Sequence, residues 1–104
     1  MLKLKNDSII PHLSSGMLFG LIAIDQAYEA AGVPETVVTS AMDGPHKRGS
    51  LHYSGNAVDI RTRNATESQL TQIVAQLRSN LTEHYDVILE ADHLHVEFDV
   101  KRLR

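Results

Sequence analysis

Apolar positions along this chain follow two periods, and the places where one gives way to the other mark out its elements. From Met17 to Ala31 the apolar residues Leu18, Leu21, Ile22, Ala27, Ala30 and Ala31 recur at helical spacing, with Ser15 as a candidate N-cap and Gly32 just past the end. This spacing predicts a first helix. Gly32-Val33-Pro34 breaks it, the β-branched run Thr36-Val37-Val38-Thr39 predicts a short strand, and Met42-Asp43-Gly44-Pro45 marks a turn. From Ala57 to Thr62, Val58 and Ile60 alternate with Asp59 and Arg61, the period of a half-buried strand with Asp59 on its polar face. Thr66 with Gln69 forms a capping box, and Leu70, Ile73, Val74 and Leu77 follow at i, i+3, i+4 and i+7, giving a second helix that ends near Asn80.

Tyr85 to Glu90 and Leu94 to Phe98 are the last two strands, joined across Ala91 to His93 at hairpin spacing. In the final strand Leu94, Val96 and Phe98 face one way, and His93, His95 and Glu97 the other. The first sixteen residues, with Pro11 and Ser14-Ser15-Gly16, keep no period and are expected to form an arm packed against the domain. This order of elements predicts an α+β fold, a small antiparallel sheet with helices packed on one face.

Length and composition narrow the function classes. At 104 residues the chain makes a single domain, 1–104, large enough for a modest core, and it contains no internal repeat. The net charge of -3, with ten Lys and Arg scattered apart from Lys101-Arg102-Leu103-Arg104, leaves no basic footprint for nucleic acid. No run of about 18 apolar residues occurs, and Met1 to Asp7 does not lead into an apolar signal core, so neither a membrane span nor a signal peptide is expected. Asn64-Ala65-Thr66 is a sequon of no consequence outside a secreted eukaryotic protein. The absence of cysteine excludes a disulfide framework and leaves imidazole and carboxylate as metal ligands.

Those ligands occur in two places. Ser50-Leu51-His52-Tyr53-Ser54-Gly55-Asn56-Ala57-Val58-Asp59 sets a histidine and a carboxylate seven residues apart, able to converge if the chain turns at Gly55 and then runs extended. A catalytic zinc ion usually takes three protein ligands and leaves a fourth position open. The third ligand is sought in Asp92-His93-Leu94-His95, where His95 is the choice and His93 stands beside it on the same strand face. The plain alternative, which suits most isolated His-x-His pairs, is two polar residues on a solvated strand. His12, in the unpatterned arm, is read as a surface residue.

Taken together, the two motifs resemble the zinc D-alanyl-D-alanine carboxypeptidases and dipeptidases, with the phage endolysins that cut bacterial cell-wall stem peptides. Ser-x-His-x-x-Gly-x-Ala-x-Asp is matched by Ser50, His52, Gly55, Ala57 and Asp59; Asp92, His95, Glu97 and Phe98 match the second motif, with Asp where Glu is commoner. The resemblance implies the hedgehog/DD-peptidase fold, zinc held by His52, Asp59 and His95, and Asp92 as the acid that works on water. By similarity to lysostaphin-type peptidases, His93 becomes a candidate transition-state donor. Glu90 with His93 offers a second register of the same spacing, without the following Glu-aromatic pair.

The sequence departs from the family where an arginine is usual ahead of the histidine motif, reading Ser40-Ala41-Met42-Asp43 instead; His46, Lys47 and Arg48 lie just beyond. The implied partner is the peptidoglycan stem peptide, cut at D-Ala-D-Ala or at L-Ala-D-Glu. Without an export signal, a phage or prophage protein is expected, cytoplasmic in the producing cell or virion-associated, acting on the wall after release. The competing expectation is a zinc-binding domain without catalysis, in a virion-structural or signalling role, as in the hedgehog domain.

Overall fold

Two helices pack against one face of a five-stranded mixed sheet in the computed structural model, which describes residues 1–5, 13–41 and 56–99. In chain order the elements are β1 (Leu2–Leu4), α1 (Ser15–Ala30), β2 (Thr36–Ser40), β3 (Ala57–Arg61), α2 (Glu67–Asn80), β4 (Tyr85–Leu89) and β5 (His93–Phe98). The strands lie in the order β1-β2-β3-β5-β4. The α+β class holds, with one correction: the sheet is mixed rather than antiparallel, because β1 runs parallel to β2.

That strand replaces part of the expected unpatterned arm. Lys5 donates its backbone N–H to Val38 O at 2.9 Å and Thr36 to Met1 O at 2.8 Å, so the first residues satisfy the backbone groups that β2 would otherwise leave open along this edge.

The first helix is capped by Ser14, whose hydroxyl accepts from Met17 N at 3.1 Å, and it is followed by Gly32 at φ +84°, a conformation that favours glycine. It buries Met17, Leu21, Ile24, Ala27 and Tyr28. Leu18 and Ile22, two of the positions that marked its period, are instead 51% and 58% exposed beside exposed Phe19. The helix start lies close on the sheet because residue 16 has no side chain: a Cβ there would meet the Phe98 ring at 2.7 Å. Tyr85 donates its hydroxyl to Gly16 O at 2.7 Å across the same contact.

The second helix keeps both bonds of its capping box, Gln69 N to Thr66 Oγ1 at 3.1 Å and Thr66 N to Gln69 Oε1 at 2.8 Å. Its apolar stripe meets α1 and the sheet through Ile73 and Leu77, both fully buried. Arg78, near its end, donates to Val87 O of β4 at 2.9 Å. From the sheet, Val38, Val58, Ile60, Val87, Leu94 and Val96 complete the core.

Tyr28 is the largest fully buried side chain among the described residues, and its hydroxyl donates to Arg61 O at 2.8 Å. Burial pushes its phenol up to about 12. Tyr28→Phe is expected to cost about 1 kcal/mol of stability, the usual net worth of one hydrogen bond, read from chemical denaturation. Because the folded state holds this proton to higher pH than the unfolded state does, the wild type keeps the full contribution below pH 10. It loses that contribution as pH rises through about 12, a decline that should be shallower in Tyr28→Phe.

Candidate metal centre

The face of the sheet away from the helices carries the polar side chains, and the strand register decides which of them meet. In the β3–β5 ladder Asp59 lies opposite His95 and Arg61 opposite His93. Residues directly opposite on one face have Cβ atoms about 5 Å apart. A short carboxylate and an imidazole therefore touch: His95 Nδ1 is 2.8 Å from Asp59 Oδ1. The other imidazole comes in from the side, with His93 Nε2 3.7 Å from the same oxygen.

Beside this pair the β2–β3 register shifts. Val38 opposes Ile60 and Ser40 opposes Asp59, which leaves Thr39 as the extra residue, and its hydroxyl donates to Asp59 O at 3.3 Å. Such bulges re-aim side chains next to functional sites, and this one sits at the level of the carboxylate.

Both ring nitrogens of His95 face carboxylates, since Nε2 is 2.7 Å from Glu97 Oε1 on the same strand face. The bond to Asp59 holds the imidazole's pKa above its ordinary value, with Glu97 adding to it and burial opposing. His93 is fixed in turn by Asp92, whose carboxylate is 2.6 Å from Nδ1. The Asp92 side chain is 88% exposed and is held against the His93 ring rather than enclosed in a pocket.

Asp59, His93 and His95 each offer a ligand atom, and these atoms lie within 4.8 Å of one another. Ligands about 2.1 Å from a tetrahedral ion stand about 3.4 Å apart, so the observed 2.8 and 3.7 Å bracket the spacing that an ion would need. The donor set, imidazole nitrogen with carboxylate oxygen, suits a borderline-soft divalent metal. With Nδ1 directed at Asp59 and Nε2 donating to Glu97, His95 already has the carboxylate partner that metal-binding histidines commonly keep on the nitrogen away from the ion. These three residues can thus hold a metal ion.

Of the site residues expected from the sequence, Asp59, His95, His93 and Asp92 are brought together. His52, His46, Lys47 and Arg48 lie outside the described residues. Glu90 sits at the hairpin, where its backbone N–H donates to His93 O at 2.9 Å, and its side chain is exposed. One contact was missed: Glu97 as the second partner of His95, signalled by its i+2 spacing on the same strand.

Compared with protein-family models and with curated proteins, the chain matches none. Among the described residues no helix is long and apolar enough to cross a membrane.

Proposed function

We propose that this chain is a zinc-dependent peptidase that hydrolyses a peptide bond in bacterial cell-wall stem peptides, made by a phage or prophage and acting on the wall after release. The observation that carries the reading is the contact of Asp59 with His95 at 2.8 Å, which joins the two stretches that supply the sequence motifs. His52 is the third ligand in this reading. Zinc, when bound, supplies Lewis-acid polarisation of a carbonyl and a source of hydroxide near neutral pH.

The protein's own groups do the rest. Asp59 and His95 would hold the ion, and Glu97 fixes the orientation of His95 through Nε2. Asp92, bound at Nδ1 of His93, fixes that ring so that Nε2 can exchange a proton with the reacting groups, and the two act as one acid–base unit.

A non-catalytic zinc domain is the second reading, favoured by the exposure of Asp92 and by His93 lying near enough to serve as a ligand. Digestion of purified peptidoglycan with the zinc-loaded protein, followed by mass spectrometry, separates the two. The peptidase is expected to release shortened stem peptides or free D-alanine. Intact stem peptides after incubation with fully zinc-loaded protein would give the second reading the lead.

A further inference from the structure

The outer arc of α1 is apolar and uncovered. Leu18, Phe19 and Ile22 are 51%, 66% and 58% exposed, while the rest of the helix buries Met17, Leu21, Ile24, Ala27 and Tyr28 against α2 and the sheet. Apolar side chains exposed singly are ordinary, but three large ones in a row on one helix face mark an interaction surface. A helix that is apolar nearly all round is normally buried on every side.

The remainder of the arc indicates what covers it. Ser15, Leu18, Phe19, Ile22, Gln26 and Glu29 are all exposed along one stripe. Ser15, Ile22 and Glu29 stand seven residues apart, the repeat at which two helices meet along their length. The two ends of the stripe are opposite in charge. The first turn of α1 has no acidic side chain, so the positive end of the helix dipole is uncompensated there, and the last turn has Glu29 and no base. Asp25, the other acid of the helix, is taken up by the Thr36 hydroxyl and the N-terminal amine. Among the described residues Glu29 has no such partner.

We infer that the outer arc of α1 is the interface of a homodimer, in which the helices of two copies pack antiparallel about a twofold axis at Ile22. Charge sets the direction. Antiparallel packing brings Glu29 of each copy against the first turn of the other, beside Ser15, whereas a parallel pair would set carboxylate against carboxylate and one positive helix end against the other. Ile22 meets its own twin at the axis, and Leu18 and Phe19 lie over Gln26 on either side. One patch thus serves both partners, which is the self-complementarity that a closed twofold dimer requires. A contact confined to one helix face lies at the low end of interface sizes, below about 1,200 Å² in total, so the dissociation constant falls in the micromolar range. The metal centre is on the other face of the sheet, so each copy keeps its own uncovered, and the inference is independent of the chemistry performed there.

The test is sedimentation velocity on the full chain over a concentration series, joined to cross-linking, which the absence of native cysteine makes specific. The wild type is expected to pass from monomer to dimer between about 1 and 100 µM. Ile22→Glu sets two carboxylates at the axis and should stay monomeric over that range with an unchanged melting temperature, since the side chain it replaces is exposed. Glu29→Lys should weaken the dimer about 3- to 30-fold, the loss of two dipole contacts of ordinary strength, and added salt should shrink that difference. On mild oxidation Ile22→Cys should give a disulfide-linked dimer, and Thr71→Cys, on the β4 side of α2, should not at the same concentration. A wild type that is monomeric at the top of the range overturns the inference, as does a dimer that survives Ile22→Glu or leaves Ile22→Cys without a cross-link. A monomer that instead floats with phosphatidylglycerol vesicles would assign the arc to a lipid surface and overturn it equally.

Discussion

His95→Ala is expected to release zinc and abolish hydrolysis together, the largest effect of any single change in the site. The imidazole is in direct contact with both Asp59 and Glu97, at 2.8 and 2.7 Å. Its removal takes away a ligand and leaves two half-buried carboxylates facing each other. Glu97→Gln makes the graded companion: the ligand stays while its orienting charge goes, and a 10- to 100-fold loss of zinc affinity is typical of such partners. Metal analysis and a competition titration with a chelator read both variants. A His95→Ala protein that keeps a full complement of zinc would remove His95 from the ligand set.

The same residue is expected to make zinc binding depend on pH. In the metal-free protein the raised pKa of His95 means that its stabilising contribution is present below the unfolded value and is lost as pH rises through the folded one. Zinc competes with that proton for Nδ1, so its affinity should fall as pH drops through the raised range of His95.

The second large effect is expected at His93. His93→Ala should lower kcat by about 10²- to 10⁴-fold, the usual worth of general acid–base help, while zinc content stays whole. If Asp92 works through this ring, Asp92→Asn should also lose activity, and the double variant should be no worse than His93→Ala alone, since groups that act as one unit are not additive. Glu90→Gln should stay near wild type. Additive losses in the double variant would mean that Asp92 acts by itself. Zinc lost with His93→Ala would mean that His93 is a ligand, and activity abolished by Glu90→Gln would move the acid to the other register.

The elements that sequence revealed best are those where one local rule decides. Thr66 and Gln69 form their capping box within four residues, and the alternation around Asp59 and His95 places both on the polar face once their strands pair. Where several answers satisfy the local rule, sequence falls short. The first helix is apolar nearly all round, so its period could not tell buried Met17 and Ile24 from exposed Leu18 and Ile22. Strand β1 is three residues long and finds its partner more than thirty positions away, with no periodicity to announce it. Arg61 lines a cavity with Asp59 and His93, although in the sequence it reads as any solvated strand residue. Its neighbours in the cavity, Lys5 and Arg63, are assembled by the parallel pairing of β1 and by the turn after β3.

The contact between Arg78 and Val87 covers one acceptor on the outer edge of the sheet. Strand β4 closes one side of the sheet and exposes Ile88 and Leu89, the combination of open backbone and apolar side chains that lets strands from separate molecules stack edge to edge. The guanidinium occupies a carbonyl on β4, so an incoming strand pairing there would have to evict a positive charge and lose a hydrogen bond before gaining its own. The obstacle to such pairing at this carbonyl is thus supplied by a helix residue rather than by the strand itself.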